Sequence, residues 1–324
     1  MPFTFFEMLR VVIALACIAV FIGAHAMVLV YAERKVAGFI QRRPGPYEVG
    51  PHGLLQMLVD VGKLIGKQVV KPDTADPFLF RLAPIVAFLP VPLLFLPLPF
   101  SSFLTGLEVN LGLLLILSFS SINVIAILLA GWGANSKYSL YGAARGVAQA
   151  IAYEIPLLLA VLAIVLQYGT LNLSTIVSVQ GSWPWQWNII TQPVAFALFV
   201  ISMFGETNRA PFDLAEAESE LTGGFHTEYS GMGFGMFFLA EYANMIVVCA
   251  VCSTLFLGGW KGPFIDGVWW FLLKTYALLL FMMWVRWTFP RVRFDQLLNL
   301  NWKWLIPIGV LNLVVTAALM KVFA

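Results

Sequence analysis

The chain has 324 residues, of which 60% are hydrophobic and 11% are charged. Soluble domains carry about 25% charged residues. The composition therefore excludes an ordinary soluble domain and predicts an all-α polytopic membrane protein, with residues 1–324 forming a single integral membrane domain. The net charge of +2 gives no reason to expect a nucleic-acid partner, because the basic residues are distributed by membrane topology.

Eight segments are predicted to be transmembrane helices, since a helix that spans a bilayer needs about 20 mostly apolar residues. They are residues 11–31, 78–98, 111–132, 144–168, 187–205, 234–258, 268–289 and 304–323. The first begins like a signal peptide, but its apolar run continues to Tyr31, so we expect it to remain as a helix. No internal repeat is evident, which argues against an inverted-repeat transporter.

The distribution of Lys and Arg predicts the orientation in the membrane. Fifteen of the 19 basic residues lie in or near the loops that follow the first, third, fifth and seventh helices. Because Lys and Arg accumulate on the cytoplasmic side, these loops are predicted to be cytoplasmic, or on the matrix side of a mitochondrion. Both termini then lie on the opposite side. The four remaining basic residues belong to that side: Arg10, Lys261, Lys274 and Lys321.

Residues 32–77 form a long loop on the cytoplasmic side, and part of it is predicted to be an amphipathic helix. One face of this helix is polar and carries Gln56, Asp60, Lys63 and Lys67. The other face is apolar and carries Leu54, Leu55, Leu58, Val59 and Ile65. Such a helix lies in or near the membrane interface. It is either a surface anchor or a wall of the entrance for a lipid-like ligand.

Seven of the 17 acidic residues lie between residues 206 and 241, and residues 206–233 form an acidic loop on the same side. Asp213, Glu216 and Glu220 have the spacing that places side chains on one helix face. Asp213 is suited to cap this helix, which Gly223 and Gly224 would end. The loop is either a solvated acidic helix or a cluster of carboxylates that handles protons, because close like charges raise one another's pKa.

Carboxylates also occur inside the predicted membrane helices. Glu154 lies near the middle of the fourth helix, Glu241 lies in the first half of the sixth, and Glu33 is predicted to close the first. A carboxylate inside a membrane is costly and indicates a functional site by default. A neutral Glu that relays a proton is one interpretation, and a carboxylate satisfied by a neighbouring helix is the other.

Other features favour simple interpretations. Cys17, Cys249 and Cys252 all lie in apolar runs, without the companions that a metal or redox site needs, and no iron–sulfur, haem or dinucleotide motif occurs. Five prolines predict irregular geometry in the second helix: Pro84, Pro90, Pro92, Pro97 and Pro99. Taken alone, the basic residues around the end of the seventh helix are ordinary topology anchors: Arg286, Arg291 and Arg293.

Four stretches together carry a family resemblance. They are AERKVAGFIQRRPGPYEVGPHGLLQMLVDVGKLIGK, LAGWGANSKYSLYGAARGVAQAIAYE, ETNRAPFDLAEAESELTGGFHTEYSGMGFGMFFLAEYANM and VRWTFPRVRFDQL. In these stretches the chain resembles the family of H subunits of respiratory NADH:quinone oxidoreductase (complex I), whose mitochondrial counterpart is NADH dehydrogenase subunit 1. The stretches extend from the first helix to the start of the eighth.

The resemblance implies a membrane component that forms the quinone entry channel and chamber wall and couples quinone reduction to proton translocation. It assigns the chamber wall to Arg34, Asp60, Lys63, Arg286, Arg291 and Arg293. The entrance runs beside the amphipathic helix, where we expect Leu55 and Leu58 to border it. The proton path is expected to use Glu33, Glu154, Glu206, Asp213, Glu216, Glu220, Glu228 and Glu241.

The resemblance also implies that catalysis needs partner subunits. Quinone is the substrate, FMN and the iron–sulfur clusters belong to partner subunits, and no metal site is expected in this chain. The expected partners are the peripheral-arm quinone-site and iron–sulfur subunits, small membrane-arm subunits and lipid. The bacterial cytoplasmic (inner) membrane is the expected location, and the mitochondrial inner membrane is the alternative.

One position departs from some members of the family. They have a further carboxylate in the third helix where this chain has Ser121 beside Ser120, so a water held by the serines would have to serve there. Two other functions remain as alternatives: a self-contained proton or cation transporter or channel, and the equivalent subunit of a membrane-bound hydrogenase. A transporter would act alone, whereas a subunit needs redox partners.

Overall fold

The structure, a computed structural model, describes residues 5–215 and 223–323. Within these two ranges every regular element is helical, apart from one isolated bridge between Pro99 and Thr105. The first half contains α1 (Phe5–Ile40), α2 (Gln56–Gly66), α3 (Pro77–Phe88), α4 (Pro90–Phe95), α5 (Gly112–Ser120), α6 (Ile122–Ala134) and α7 (Lys137–Tyr168). The second half contains α8 (Leu173–Val179), α9 (Asn188–Thr191), α10 (Pro193–Glu206), α11 (Gly231–Phe256), α12 (Val268–Thr288), α13 (Phe294–Leu300) and α14 (Ile306–Phe323).

Seven segments of the described chain are long and apolar enough to cross a membrane. The prediction of an all-α polytopic membrane protein is therefore confirmed, whereas the predicted number of eight helices is not. They are α1, α3 with α4, α5 with α6, α7, α11, α12, and α13 with α14. The predicted helix over residues 187–205 is instead divided into α9, of 4 residues, and α10, of 14 residues. Pro193 begins α10 because proline has no N–H and restricts the residue before it.

Two helices are longer than predicted. The first extends to Ile40, so Glu33 lies inside α1 and does not close it. The fourth predicted helix begins earlier, at Lys137, and Glu154 lies just past the middle of its 32 residues. In both cases polar and charged residues continue a helix beyond its apolar run, because the backbone hydrogen bonds need no apolar side chains.

Two spans are interrupted. Pro90 separates α3 from α4, which confirms the irregular geometry predicted for the second span. The third span divides at Ser121, between α5 and α6. The Ser121 hydroxyl lies 3.2 Å from the carbonyl oxygen of Leu117, four residues earlier, and such back-bonding bends helices.

The long helix α7 packs against α6, α10 and α14 at the centre of the bundle. Small residues allow the close approach, as is usual where no hydrophobic force draws apolar helices together in lipid. At Gly205 of α10, an added Cβ would overlap the buried ring of Tyr153 in α7. This contact fixes the register of α10 on α7 and therefore brings Glu206 and Glu154, which follow these residues in sequence, to neighbouring positions.

We predict that Gly205→Ala destabilises the folded protein by about 1–3 kcal/mol, the usual cost of overpacking a closely packed site. The rigid Tyr153 ring cannot move aside without disturbing α7. The measurement is the thermal unfolding midpoint of the purified protein in detergent. Gly62→Ala is the matched control, because nothing lies within 4 Å of the added methyl group in α2. Equal midpoints for the two variants would contradict the packing at Gly205.

Candidate functional site

A cluster of buried charges joins α1, α11, α12 and the loop after α10. Glu33 of α1 is only 5% exposed, and Arg209 of the loop is equally well buried. Arg209 Nη1 lies 3.3 Å from Glu33 Oε1, and its Nε lies 2.7 Å from Glu241 Oε1 in α11. Arg286 of α12 also pairs with the Glu33 carboxylate. The Tyr242 hydroxyl donates a hydrogen bond to Glu33 Oε2, and the Arg209 guanidinium lies 4.4 Å from the Tyr242 ring centroid.

The cluster alternates acidic and basic groups, as buried ions must in order to offset their desolvation. Arg209 contacts both carboxylates at once, since its two ends face Glu33 and Glu241. A change of charge at Glu33 therefore alters the field that Glu241 experiences, because Coulomb interactions are strong where water is excluded. The guanidinium group of Arg209 thus couples the charge state of Glu33 to that of Glu241.

The loop that carries Arg209 is held in place by Gln149, which is fully buried in α7. Gln149 Nε2 lies 2.9 Å from the carbonyl oxygen of Gly205, 3.0 Å from Asn208 Oδ1 and 2.6 Å from the carbonyl oxygen of Phe212. These contacts tie both ends of the turn to one helix. Gln149 consequently positions the Arg209 guanidinium indirectly, by holding the residues on either side of Arg209.

An apolar cavity of about 730 Å³ lies between α1, α2 and α11. This volume is typical of pockets that bury a small organic molecule. Its apolar lining comes from Ala26, Met27, Val30, Met57, Val61, Leu64, Met232, Phe234, Phe238 and Leu239. Arg34, Asp60, Lys63 and Lys67 add charged groups on one side.

An ion pair joins α1 to α2 beside this cavity. Arg34 Nη1 lies 2.7 Å from Asp60 Oδ2, and Gln56 donates a second hydrogen bond to Asp60. Burial alone would raise the pKa of Asp60, but the hydrogen bonds from Arg34 and Gln56 and the charges of Arg34 and Lys63 hold the pKa below its ordinary value of 3.8. The carboxylate therefore stays ionised near neutral pH, and the pair is lost only as the pH falls through this lowered pKa.

A second cavity, of about 180 Å³, reaches the charged cluster. Its walls include Glu33, Arg209, Glu241 and Arg286. It shares four lining residues with the larger apolar cavity: Val30, Arg34, Phe238 and Tyr242. The two cavities therefore adjoin, and an apolar space leads to a charged end.

A third cavity continues on the other side of Glu241. Its volume of about 30 Å³ is enough for a water molecule. Glu206, Asn208, His226, Glu241 and Asn244 provide polar groups around it. Since Glu241 and Phe238 also line the second cavity, Glu241 lies at the boundary between the charged chamber and this polar space.

The embedded Glu154 has a specific partner. The Ser121 hydroxyl, at the break between α5 and α6, is within hydrogen-bonding distance of Glu154 Oε1. Glu154 is also close enough for its charge to act on Glu206. Ser121 therefore joins the break in the third span directly to the embedded carboxylate of Glu154.

The other predicted site residues are distributed as follows. Arg291 Nη2 lies 3.5 Å from Asp213 Oδ2, while Arg293 is exposed at the start of α13. Glu228 is half-buried in the loop before α11. Leu55 and Leu58 are exposed and lie outside the lining of the described cavities. Glu216 and Glu220, with the helix that Asp213 was expected to cap, lie outside the described residues.

Four residues that form or support the charged cluster and the polar cavity were not among the predicted site residues: Gln149, Arg209, His226 and Tyr242. Arg209 was counted only for topology, and Gln149 and Tyr242 lie in the stretches that carry the family resemblance. A polar side chain inside an otherwise apolar helix is the signal that marks Gln149. The position of Tyr242 next to Glu241 gave no such signal, because a tyrosine in a membrane helix is common.

Metal-ligand geometry is not found in the described ranges: no three His, Cys, Asp or Glu side chains there are grouped so that they could hold an ion. Cys17 is exposed, and Cys249 and Cys252 are buried as free thiols. The shape of the two adjoining cavities suits an uncharged organic molecule with polar atoms at one end, since an apolar space leads to charged hydrogen-bonding groups.

Comparison with known proteins agrees with this architecture. The family model for NADH dehydrogenase matches residues 12–317. The H subunit of the NADH-quinone oxidoreductase of Desulfotalea psychrophila is 50% identical over 325 residues, covering 97% of this chain and 98% of that protein. The H subunit of Dehalococcoides mccartyi is 46% identical over 297 residues, covering 92% of this chain and 83% of that protein. The first of the numbered H subunits of Geobacter metallireducens is 48% identical over 300 residues, covering 90% of each chain.

The family model covers nearly the whole chain, and relatives that are about half identical cover 90% and 97% of it. The resemblance inferred from the four sequence stretches is thereby confirmed. The chain belongs to the NADH dehydrogenase family.

Proposed function

We propose that this chain is the H-type membrane subunit of an NADH:quinone oxidoreductase, in which it forms the quinone entry channel and chamber wall and couples quinone reduction to proton translocation. One observation carries the proposal: an apolar cavity of about 730 Å³ adjoins a charged chamber, and the chamber ends at a carboxylate that also borders a polar cavity. The names of the relatives support the same activity.

The proposed placement in the membrane has eight crossings. The eighth crossing is α10, which has only 14 residues and begins directly after the short α9. Helix α2 lies at the interface as an amphipathic helix, with Leu58 and Ile65 facing lipid because both are exposed. The charged chamber then faces the cytoplasm of a bacterial cell, and both termini face the exoplasmic side.

In this arrangement a quinone enters from lipid between α1, α2 and α11. Its isoprenoid tail suits the apolar cavity, and its head group suits the charged end near Arg34 and Arg286. The walls that the tail would touch include Met57, Val61 and Leu64, one face of α2. Leu55 and Leu58 would then contact lipid outside the channel.

Reduction of the quinone to quinol takes up two electrons and two protons. The flavin and iron–sulfur groups that deliver the electrons are assigned to partner subunits in the peripheral arm, so the isolated chain should oxidise nothing. What this chain's residues contribute is orientation and charge: guanidinium groups stabilise negative charge that develops near the head group. Small membrane-arm subunits are the proposed neighbours of the bundle.

Coupling would begin at the shared carboxylate. Negative charge near Arg286 competes with Glu33 for that guanidinium, and Glu33 is joined through Arg209 to Glu241. A proton taken up or released at Glu241 can pass through water in the polar cavity towards Glu206. From Glu206 it can move on to the neighbouring Glu154, which is hydrogen-bonded to the Ser121 hydroxyl. The proposed cytoplasmic end of this path is formed by Asp213, Glu216, Glu220 and Glu228.

We predict that Lys71→Cys and Phe264→Cys, in a chain whose Cys17 is replaced by Ser, react with a membrane-impermeant maleimide from opposite sides. Both positions are exposed, in loops at opposite ends of the bundle. Lys71→Cys should react only in inverted vesicles and Phe264→Cys only in right-side-out vesicles. Labelling of both positions from one side would contradict the topology.

We also predict that Val61→Trp raises the apparent KM for long-tailed quinones about fivefold, roughly 1 kcal/mol, with a smaller effect on short-tailed ones. The larger ring occupies space in the channel that only a long tail needs. Steady-state quinone reduction by the assembled complex measures both constants. Leu58→Trp, on the outer face of the same helix, is the matched control and should change neither. Equal effects of Val61→Trp on both quinones would indicate that α2 is only an anchor.

The relay predicts that Glu154→Gln and Glu241→Gln lower quinone-coupled proton transport about tenfold, some 1.4 kcal/mol in the barrier, and lower the quinone-reductase rate with it. Glutamine keeps the shape and hydrogen bonding of the side chain but cannot release a proton. Glu154→Asp and Glu241→Asp should retain more activity than the Gln variants. Assembly, reductase rate and proton transport are measured together on all four.

Glu108→Gln is the control for that series, because Glu108 is exposed in the loop between α4 and α5, remote from the cavities. It should leave assembly, reduction and transport unchanged. A purely structural role for Glu154 and Glu241 would give the reverse order, with Gln tolerated and Asp damaging. Full proton transport in both Gln variants would show that neither Glu154 nor Glu241 transfers protons.

A further inference from the structure

At the end of the bundle remote from Glu33, a lysine is buried among apolar helices. Lys274 belongs to α12 and is only 4% exposed. Arg286, in the charged cluster, lies twelve residues later in the same helix, about 18 Å along its axis. Lys274 is therefore separate from the proposed quinone chamber and proton path, and its ammonium group needs local partners.

Those partners are backbone carbonyls. Lys274 Nζ donates to the carbonyl oxygens of Gly259 at 3.0 Å and of Lys261 at 2.6 Å, and also to that of Leu257. The fourth side is closed by the Trp187 ring, whose centroid lies 4.0 Å from Nζ. The three carbonyls converge because the chain after α11 turns through Gly258 and Gly259, which have φ angles of 72° and 49°. We call this group of three carbonyls and one ring the carbonyl cage.

The carbonyl cage has the chemistry of a site for a monovalent cation. Its three ligand atoms are neutral carbonyl oxygens at 2.5–3.0 Å from Nζ, the kind of oxygen that replaces hydration water around potassium in ion-selective proteins. An aromatic face adds electrostatic attraction for a cation without demanding a fixed geometry. Among the described acidic groups, Asp266 acts on Lys274 through its charge. A divalent ion would require carboxylate ligands, so these donors suit a single positive charge.

The site also ends the helix that carries Glu241. The last carbonyls of α11 have no partners within the helix. Gln180 donates to the carbonyl oxygens of Thr254 and Leu255, Asn188 donates to that of Leu255, and Lys274 donates to that of Leu257. A positive charge here is favoured by the helix dipole. Occupancy of the carbonyl cage therefore holds the far end of α11 in place.

We propose that the carbonyl cage is a monovalent-cation site which the protein fills with its own Lys274 ammonium group, and that removal of the amine opens it to potassium or ammonium ions. This inference is independent of the quinone and proton roles, because it concerns the opposite end of α11. The ligand class is a small cation that prefers neutral oxygen donors.

The test uses the assembled complex with Lys274→Met, whose side chain keeps the volume but not the charge. In choline chloride, the half-life of quinone-reductase activity at elevated temperature should fall about tenfold relative to the unmodified complex, because three charge-assisted hydrogen bonds are lost. Potassium or ammonium chloride at the same ionic strength should restore most of it. Radioactive rubidium should bind to the variant at one site more than to the unmodified complex.

Lys321→Met is the matched control, since Lys321 is exposed at the end of α14. It should behave alike in all three salts. A half-life of Lys274→Met that is the same in choline and potassium, or no additional rubidium binding, would overturn the proposal. If Lys274→Met does not accumulate, Lys274→Gln provides the second variant, and its failure to accumulate in medium rich in potassium or ammonium would also overturn it.

Discussion

The carboxylate of Glu33 is shared by Arg209, Arg286 and Tyr242, and the geometry of the site depends on that sharing. Each partner comes from a different element, so α11, α12 and the loop after α10 are all held against α1 by one acidic group. Removing one member of a buried ion pair typically costs about 3–5 kcal/mol, because the remaining charge is left without compensation. The cluster therefore orders the end of the cavity as well as charging it.

The composition was sufficient to predict a helical membrane protein, because apolar runs of the required length leave few other folds in lipid. Helix limits were less predictable, as α1 and α7 show: both extend into polar sequence that hydropathy does not recognise. The division at Pro90 was foreseeable from proline chemistry, while the division at Ser121 was not, since serine is common within membrane helices. The shortness of α10 follows from Pro193, which the hydropathy of the segment concealed.

For the site, the sequence indicated the residue types but not their neighbours. Glu33 and Glu241 were identified because an embedded carboxylate is rare, yet nothing in the spacing indicated that Arg209 joins them. The helical pattern of α2 separated a polar from an apolar face, but only the packing of α1 and α11 determines that Val61 lines the cavity and Leu58 does not. Similarly, Gln149 acts through three contacts with residues more than 50 positions away.

The brevity of α10 has an electrical consequence. Its 14 residues span about 21 Å, whereas the hydrocarbon core of a bilayer is about 30 Å thick. If α10 is a crossing segment and water reaches both of its ends, the transmembrane voltage falls over this shorter distance, and the local field is roughly 1.4-fold steeper. Because α10 ends at Glu206, a proton bound there lies at the edge of this steep region. For each ångström that this proton moves, the membrane potential would then change its energy more than it changes the energy of a charge that moves elsewhere in the bundle.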